Sequence, residues 1–161
     1  MPNGWSEIFE HALERTLQDI ESQSFEIQSE KDIQALLFHH SLALAAERNV
    51  PRQVHAEPTV LQRLKPDLVF GGKEIFLEIK LAIHTPRKGM FEAVDKLGKY
   101  KSRWPKSRCF FLCIDEVGYY SSPSSKNYLN PKDLSLKGDW RPIGKGTFLL
   151  GELITTSSSF P

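Results

Sequence analysis

The stretch that most constrains this 161-residue chain is Lys65-Pro66-Asp67-Leu68-Val69-Phe70, Gly71-Gly72, Lys73-Glu74-Ile75-Phe76-Leu77-Glu78-Ile79-Lys80-Leu81. Two β-prone runs split by Gly-Gly predict a tight antiparallel hairpin. With Gly71-Gly72 as a two-residue loop, Asp67 stands opposite Phe76. Side chains alternate along a strand, and opposed residues share a face. One face then carries Leu68, Phe70, Ile75, Leu77, Ile79 and Leu81, and it must be core. The other carries Asp67, Glu78 and Lys80 together with Val69 and Phe76. A four-residue loop in the same register preserves these faces, whereas an odd loop breaks them.

The elements around the hairpin read as helices and strands in alternation. Ser6 is the expected N-cap of an amphipathic helix over 7–21, with Phe9, Leu13, Leu17 and Ile20 at helical spacing. Ser29-Glu30-Lys31-Asp32 is a variant capping box with Asp at its third helical position. It opens a helix running to about Arg48, apolar on most sides and therefore expected in the core. Val54–Val60 predicts an edge strand, because Pro58 removes a ladder donor. Residues 82–89 read as a loop, 90–104 as a basic amphipathic helix ended by Pro105, and 109–114 as a strand buried on both faces. Residues 116–146 read as mostly irregular, with a last strand over 147–154. The expected class is α/β, a central mixed sheet flanked by helices, in a single domain with its core at about 29–115.

Composition excludes several classes. At 40% hydrophobic and 25% charged, the chain is ordinary for a globular domain and unlike a disordered or coiled-coil sequence. No apolar run approaches the roughly 20 residues of a membrane span. Two cysteines without a bridging framework suit a reducing compartment, and the opening Met1-Pro2-Asn3-Gly4-Trp5 lacks the layout of a secretion signal, so an intracellular location is expected. The net charge of +1 conceals an asymmetry: residues 63–108 carry 12 Lys/Arg against 5 Asp/Glu, while residues 1–62 carry 4 against 10. A localised cationic surface is one reading, and a solvated face is the other.

The polar face of the hairpin has two readings as well. It is either the wet side of an amphipathic hairpin, although Val69 and Phe76 sit poorly there, or it is a site. Two carboxylates a diagonal step apart can hold a hard divalent cation such as Mg²⁺, with the backbone carbonyl of Ile79 as a third oxygen. Such a cation lowers the pKa of a bound water and polarises a phosphoryl oxygen. Lys80 would set an ammonium beside the attacking water or the developing charge.

Pro66-Asp67, ten residues, then Glu78-Ile79-Lys80 resembles the signature of the PD-(D/E)XK, or restriction-endonuclease-like, nuclease superfamily. The resemblance covers about residues 29–115: a helix carrying a Glu, the hairpin, a second helix and an apolar strand. It implies a restriction-endonuclease-like core and metal-dependent hydrolysis of DNA phosphodiester bonds, with Mg²⁺ as cofactor and Mn²⁺ able to substitute. By the resemblance Asp67 and Glu78 are metal ligands and Lys80 orients or activates the water. Many members add a Glu from the preceding helix; Glu30, about 20° from Leu37 on the helical wheel, is the candidate, with Glu47 as a weaker one. A simple helix-dipole role is the other reading of Glu30. Some subfamilies carry Gln-x-x-x-Tyr on the following helix; Lys96-Leu97-Gly98-Lys99-Tyr100 departs from it with Lys for Gln.

Lys96, Lys99 and Arg103 fall within about 60° on the 90–104 helix and, flanked by Arg87, Lys88, Lys106 and Arg108, are candidates to track a phosphate backbone. Lys101 lies on the apolar side and either snorkels or points at the site. His39 and His40 are expected as boundary histidines, His84 as a loop residue within reach of a phosphate, and Cys109 and Cys113 as buried small hydrophobes. Tyr119, Tyr120 and Trp140 either contact bases or cap the core. One such site cuts one strand, so duplex cleavage implies a homodimer or higher oligomer. A non-catalytic nucleic-acid-binding module and an RNA-directed nuclease remain the alternatives.

Overall fold

The computed structural model describes residues 4–22 and 26–154. Three helices, α1 (Gly4–Glu21), α2 (Glu30–Glu47) and α3 (Arg87–Arg103), pack on a seven-stranded mixed sheet. Its strands are β1 (Val54–Ala56), β2 (Leu68–Phe70), β3 (Ile75–Leu81), β4 (Arg108–Asp115), β5 (Leu136–Lys137), β6 (Trp140–Ile143) and β7 (Gly146–Leu153). The spatial order is β1-β2-β3-β4-β7-β5, with β6 also on β7. Only β3 and β4 run parallel, joined through α3, and every other pair is antiparallel. Among the described residues, no helix is long and apolar enough to cross a membrane.

The expected parity of the hairpin holds, and its register differs. Leu68 pairs with Leu77, Val69 with Phe76 and Phe70 with Ile75, so the loop is the four residues 71–74. Continued by one residue, this register sets Asp67 opposite Glu78, where the two-residue loop had placed Phe76. The physical reason is Trp5. Its ring occupies the space over Gly71, such that a Cβ there would lie 2.4 Å from Trp5 Cδ1. Gly71, Gly72 and Lys73 all adopt positive φ, and together they make the wider turn. Trp5 also explains why α1 starts at Gly4, two residues before the expected cap at Ser6. Its burial against Phe70 (ring centroids 6.4 Å apart) favours helix through the first turn.

Alternation then sorts the core into two layers. Leu68, Phe70, Ile75, Leu77, Ile79 and Leu81, with Phe110, Leu112 and Ile114 of β4, pack under α1 and α2. Val69, Phe76, Cys109, Phe111 and Cys113 pack under α3 and the 120–136 segment. The expected capping box is present: the backbone N–H of Ser29 donates to Asp32 Oδ2 at 3.0 Å. The edge strand β1 is shorter than expected, because Glu57 takes φ 50° and leaves the ladder before Pro58. The region expected to be irregular contains β5, β6 and a 3₁₀ turn at Pro131–Leu134. Gly138 joins β5 to β6 at φ 154°, in a place where a Cβ would meet Leu150 O at 2.3 Å.

The two hairpin glycines separate backbone cost from packing cost. Both sit at φ +57°, but nothing lies within 4 Å of a Cβ built on Gly72. Gly72→Ala is expected to destabilise by about 1 kcal/mol, the left-handed penalty alone. Gly71→Ala should cost roughly 1–3 kcal/mol more, because Trp5 must move. Urea unfolding of both variants measures the difference; equal losses would mean that Trp5 does not lock the loop.

Candidate active site

The second face of the hairpin is not a wet surface. Phe76 is fully buried, Val69 nearly so, and Glu78 is only 1% exposed. Tyr100 of α3 and Trp104, which caps its C-terminus, stack on Phe76 at 4.9 and 5.3 Å. Helix α3 therefore covers one end of this face, and the polar residues collect at the other end, where β2 pairing has stopped.

Asp67 precedes β2, and its backbone N–H still bonds Leu77 O at 3.1 Å. Its carboxylate turns inward, and Oδ2 accepts the Ile79 N–H at 2.6 Å. In an extended strand the N–H and C=O of one residue point to the same side. The Ile79 carbonyl, the third oxygen expected from the sequence, thus projects toward the Asp67 edge. One residue to either side of Ile79, Glu78 and Lys80 share the face under α3 by alternation. Glu30 arrives from the first residue of α2, with Oε2 3.9 Å from Lys80 Nζ. The first turn of α2 is moored there by the ion pair of Lys31 with Glu57, whose backbone N–H in turn donates to Asp67 O at 3.1 Å. Four of the expected site residues, Asp67, Glu78, Lys80 and Glu30, thus converge from three segments of the chain. Glu47 does not join them, being paired with Arg15 at 3.3 Å.

Burial sets the electrostatics. Desolvation, followed by the charge of Asp67, pushes the Glu78 carboxyl up to about 8. Asp67 and Glu30 are also raised, each mainly by burial, with Lys80 pulling both back down. Lys96 offsets part of this cost: its ammonium lies 2.9 Å from Glu78 Oε1 and also donates to Lys65 O at 3.0 Å. Glu78 Oε1 thus has the Lys96 ammonium as its ion-pair partner and no further hydrogen bond. The Tyr100 hydroxyl, buried near the same carboxylates, also lacks one.

Lys96 was expected on a phosphate-tracking face with Lys99 and Arg103; its side chain instead turns into the site. The wheel contains the signal: Lys96 lies about 40° from Tyr100 and about 60° from Ala93, both core residues, at the margin of the apolar face. Lys99 and Arg103 are exposed, as are Arg87 and Lys88, the latter beside Glu92 at 3.7 Å. Arg108 is committed elsewhere, forking onto Glu152 at 2.9 and 2.8 Å. Lys101 snorkels to Ser107 O and does not reach the site. His40 pairs with Asp19 at 2.7 Å across the two helices, and both cysteines are buried in the core. Trp140 caps the core by donating to Leu129 O at 3.0 Å.

Sequence reasoning gave no role to Asp115. It is fully buried, and its two oxygens accept the backbone N–H groups of Tyr119, Tyr120 and Ser121 at 2.8–2.9 Å. That acceptor set fixes the loop after β4.

No protein-family model, curated protein or solved structure matches this chain.

The donor set fits a hard divalent cation. Two carboxylates are pressed together in a desolvated place, one oxygen of Glu78 has no hydrogen bond beyond its Lys96 ion pair, and a backbone carbonyl points to the same edge. Among the described residues, no three of His, Cys, Asp and Glu are placed to hold a metal ion together, so Glu30 does not join Asp67 and Glu78 as a third ligand. Mg²⁺ does not require one, since it is held by one or two carboxylates and keeps several waters.

The raised Glu78 carboxyl carries a pH signature. Below about pH 4.5 it is protonated in folded and unfolded chains alike. Between about 4.5 and 8 the unfolded chain has released the proton and the folded protein holds it, so stability falls as pH rises through that window. The metal-free protein is expected to lose on the order of 1–4 kcal/mol from about pH 5 to pH 8. Glu78→Gln should remove most of that slope in denaturant titrations. A variant curve as steep as the wild type would exclude Glu78 as its source.

Proposed function

We propose that this protein is a metal-dependent phosphodiester hydrolase acting on DNA, with a restriction-endonuclease-like core. One observation carries the reading: Asp67, Glu78 and Lys80 converge with Glu30 where the sheet face emerges from under α3. That is the constellation the PD-(D/E)XK resemblance implies, supplied in part by a helix outside the motif.

Asp67 and Glu78 hold Mg²⁺ or Mn²⁺, with the Ile79 carbonyl beside them, and Glu30 completes the acidic rim. A cation bound there lowers the pKa of a coordinated water and polarises the scissile phosphoryl group. The chain's own part is positional and electrostatic. The Ile79 N–H holds the Asp67 carboxylate through Oδ2 at 2.6 Å and leaves Oδ1 as the second donor oxygen. Lys80, held by Glu30 and partly exposed, presents its ammonium to the attacking water and to negative charge developing on the phosphorus oxygens. Lys96 offsets part of the cost of ionising Glu78 by placing a positive charge beside it. The exposed Arg87, Lys88, Lys99 and Arg103 supply phosphate contacts along the strand. One site cuts one strand, so a double-strand break takes two copies of the chain.

Two variants test the reading. Lys80→Ala is expected to leave Ca²⁺-supported DNA binding within a few fold and to lower Mg²⁺-dependent cleavage by roughly 100-fold. Undiminished cleavage by the folded variant removes Lys80 from the mechanism. Divalent metal should raise the melting temperature of the wild type in a concentration-dependent way, because it binds the native state and relieves the Asp67–Glu78 repulsion. Asp67→Asn should abolish that response and cleavage together. Identical metal titrations of both proteins would sink the site, and metal binding without cutting of DNA or RNA would leave a binding module.

A further inference from the structure

Next to the site is a cavity of about 420 Å³, within the roughly 300–1,000 Å³ range of small-ligand pockets. Its walls are the 3₁₀ turn that follows Lys80, with Ile83, His84 and Pro86, and the loop after β4, with Val117, Tyr119 and Tyr120. Ile83, Val117 and Tyr119 are 62%, 68% and 45% exposed, an unusual amount of apolar surface for two adjacent loops. These walls are rigid. Asp115 holds the backbone of Tyr119 and Tyr120, and the Tyr120 hydroxyl donates to Thr85 O at 2.6 Å, tying one loop to the other. Tyr119 packs edge-on against Tyr120 at 4.7 Å. The pocket begins two residues after Lys80, and His84 in its lining lies within electrostatic range of Glu30. Arg87, exposed at the start of α3, brings a positive charge within electrostatic range of Tyr120 in the lining.

A preformed aromatic and aliphatic slot with a cation close by, one turn of chain from a phosphodiester site, matches one occupant in charge and shape. We infer that the pocket takes an unstacked nucleobase of the strand being cut, stacked on Tyr119, so that the preferred substrate is single-stranded or locally unpaired. The inference rests on the nuclease reading above. In a paired and stacked duplex, a base's faces are covered by its neighbours, and the slot can be filled only after unstacking. A single strand offers its bases at no such cost, and stacking on an aromatic ring tolerates any base. A single-stranded substrate also needs only one active site, and hence one copy of the chain.

Fluorescence anisotropy in Ca²⁺ tests this with three labelled probes: an oligo(dT) of about 16 nucleotides, the same strand in a blunt duplex, and an abasic strand of equal length. Wild type is expected to favour oligo(dT) over the duplex. Tyr119→Ala should lower the oligo(dT)-to-duplex affinity ratio about ten-fold, Tyr119→Phe should retain it, and the abasic strand should be insensitive to either change. A ratio unmoved by Tyr119→Ala, or an equal loss on the abasic strand, overturns the pocket while wild-type cleavage leaves the nuclease reading standing. If wild type neither binds nor cuts any nucleic acid probe, both readings fall together.

Discussion

Strand β3 is buried on both faces, and this one constraint arranges the rest of the molecule. A strand with one wet side needs a single layer of helices, whereas Ile75–Leu81 demands two. Its odd-numbered residues require α1 and α2, and Phe76 requires α3. The parallel crossover from β3 through α3 to β4 meets the second demand, since a helix in that connection returns across the sheet face. Glu78 and Lys80 occupy the same face as Phe76. They are thus carried into a partly desolvated place by the alternation that builds the core.

That placement has an electrostatic consequence. A carboxylate on a solvated hairpin would cost nothing to ionise, and Asp67 beside it would be screened. Under α3, Glu78 is deprived of water and faces a like charge, so the protein compensates locally with cations. Lys96 comes from above and Lys80 from along the strand, while the Ile79 N–H serves Asp67. The compensation is incomplete, since the Glu78 carboxyl stays raised despite both lysines. A further positive charge is what such a site lacks, and a divalent ion supplies more of it than any side chain.

Much of this was legible in the sequence because it follows from parity. The faces of the hairpin depend only on the loop being even, so the two-residue loop gave the right faces with the wrong partner for Asp67. The Ser29–Asp32 capping box and the apolar run of β4 are local signals, and they held. What could not be read depends on contacts distant in the chain. Trp5 widens the hairpin turn from 66 residues away. Lys96 reads as a surface lysine until Glu78 lies beneath it. Strands β5, of two residues, and β6, of four with Pro142 among them, are too short to announce themselves, and they exist because β7 offers an open edge. That Asp67, Glu78 and Lys80 share a face was legible, and their exact environment was not.

Burial of a carboxylate is a poor marker of function by itself, and two acids in this sheet show why. Asp115 is more buried than Glu78, but three backbone N–H groups point at its oxygens and satisfy it. It is a structural acceptor, a replacement for the water that its loop would otherwise need. Glu78 has comparable burial, one oxygen with no hydrogen bond beyond its Lys96 ion pair, and a second carboxylate alongside. A side chain kept for stability alone would be better as Gln or Leu in such a place, since an incompletely paired charge in the interior costs more than an apolar side chain of similar size.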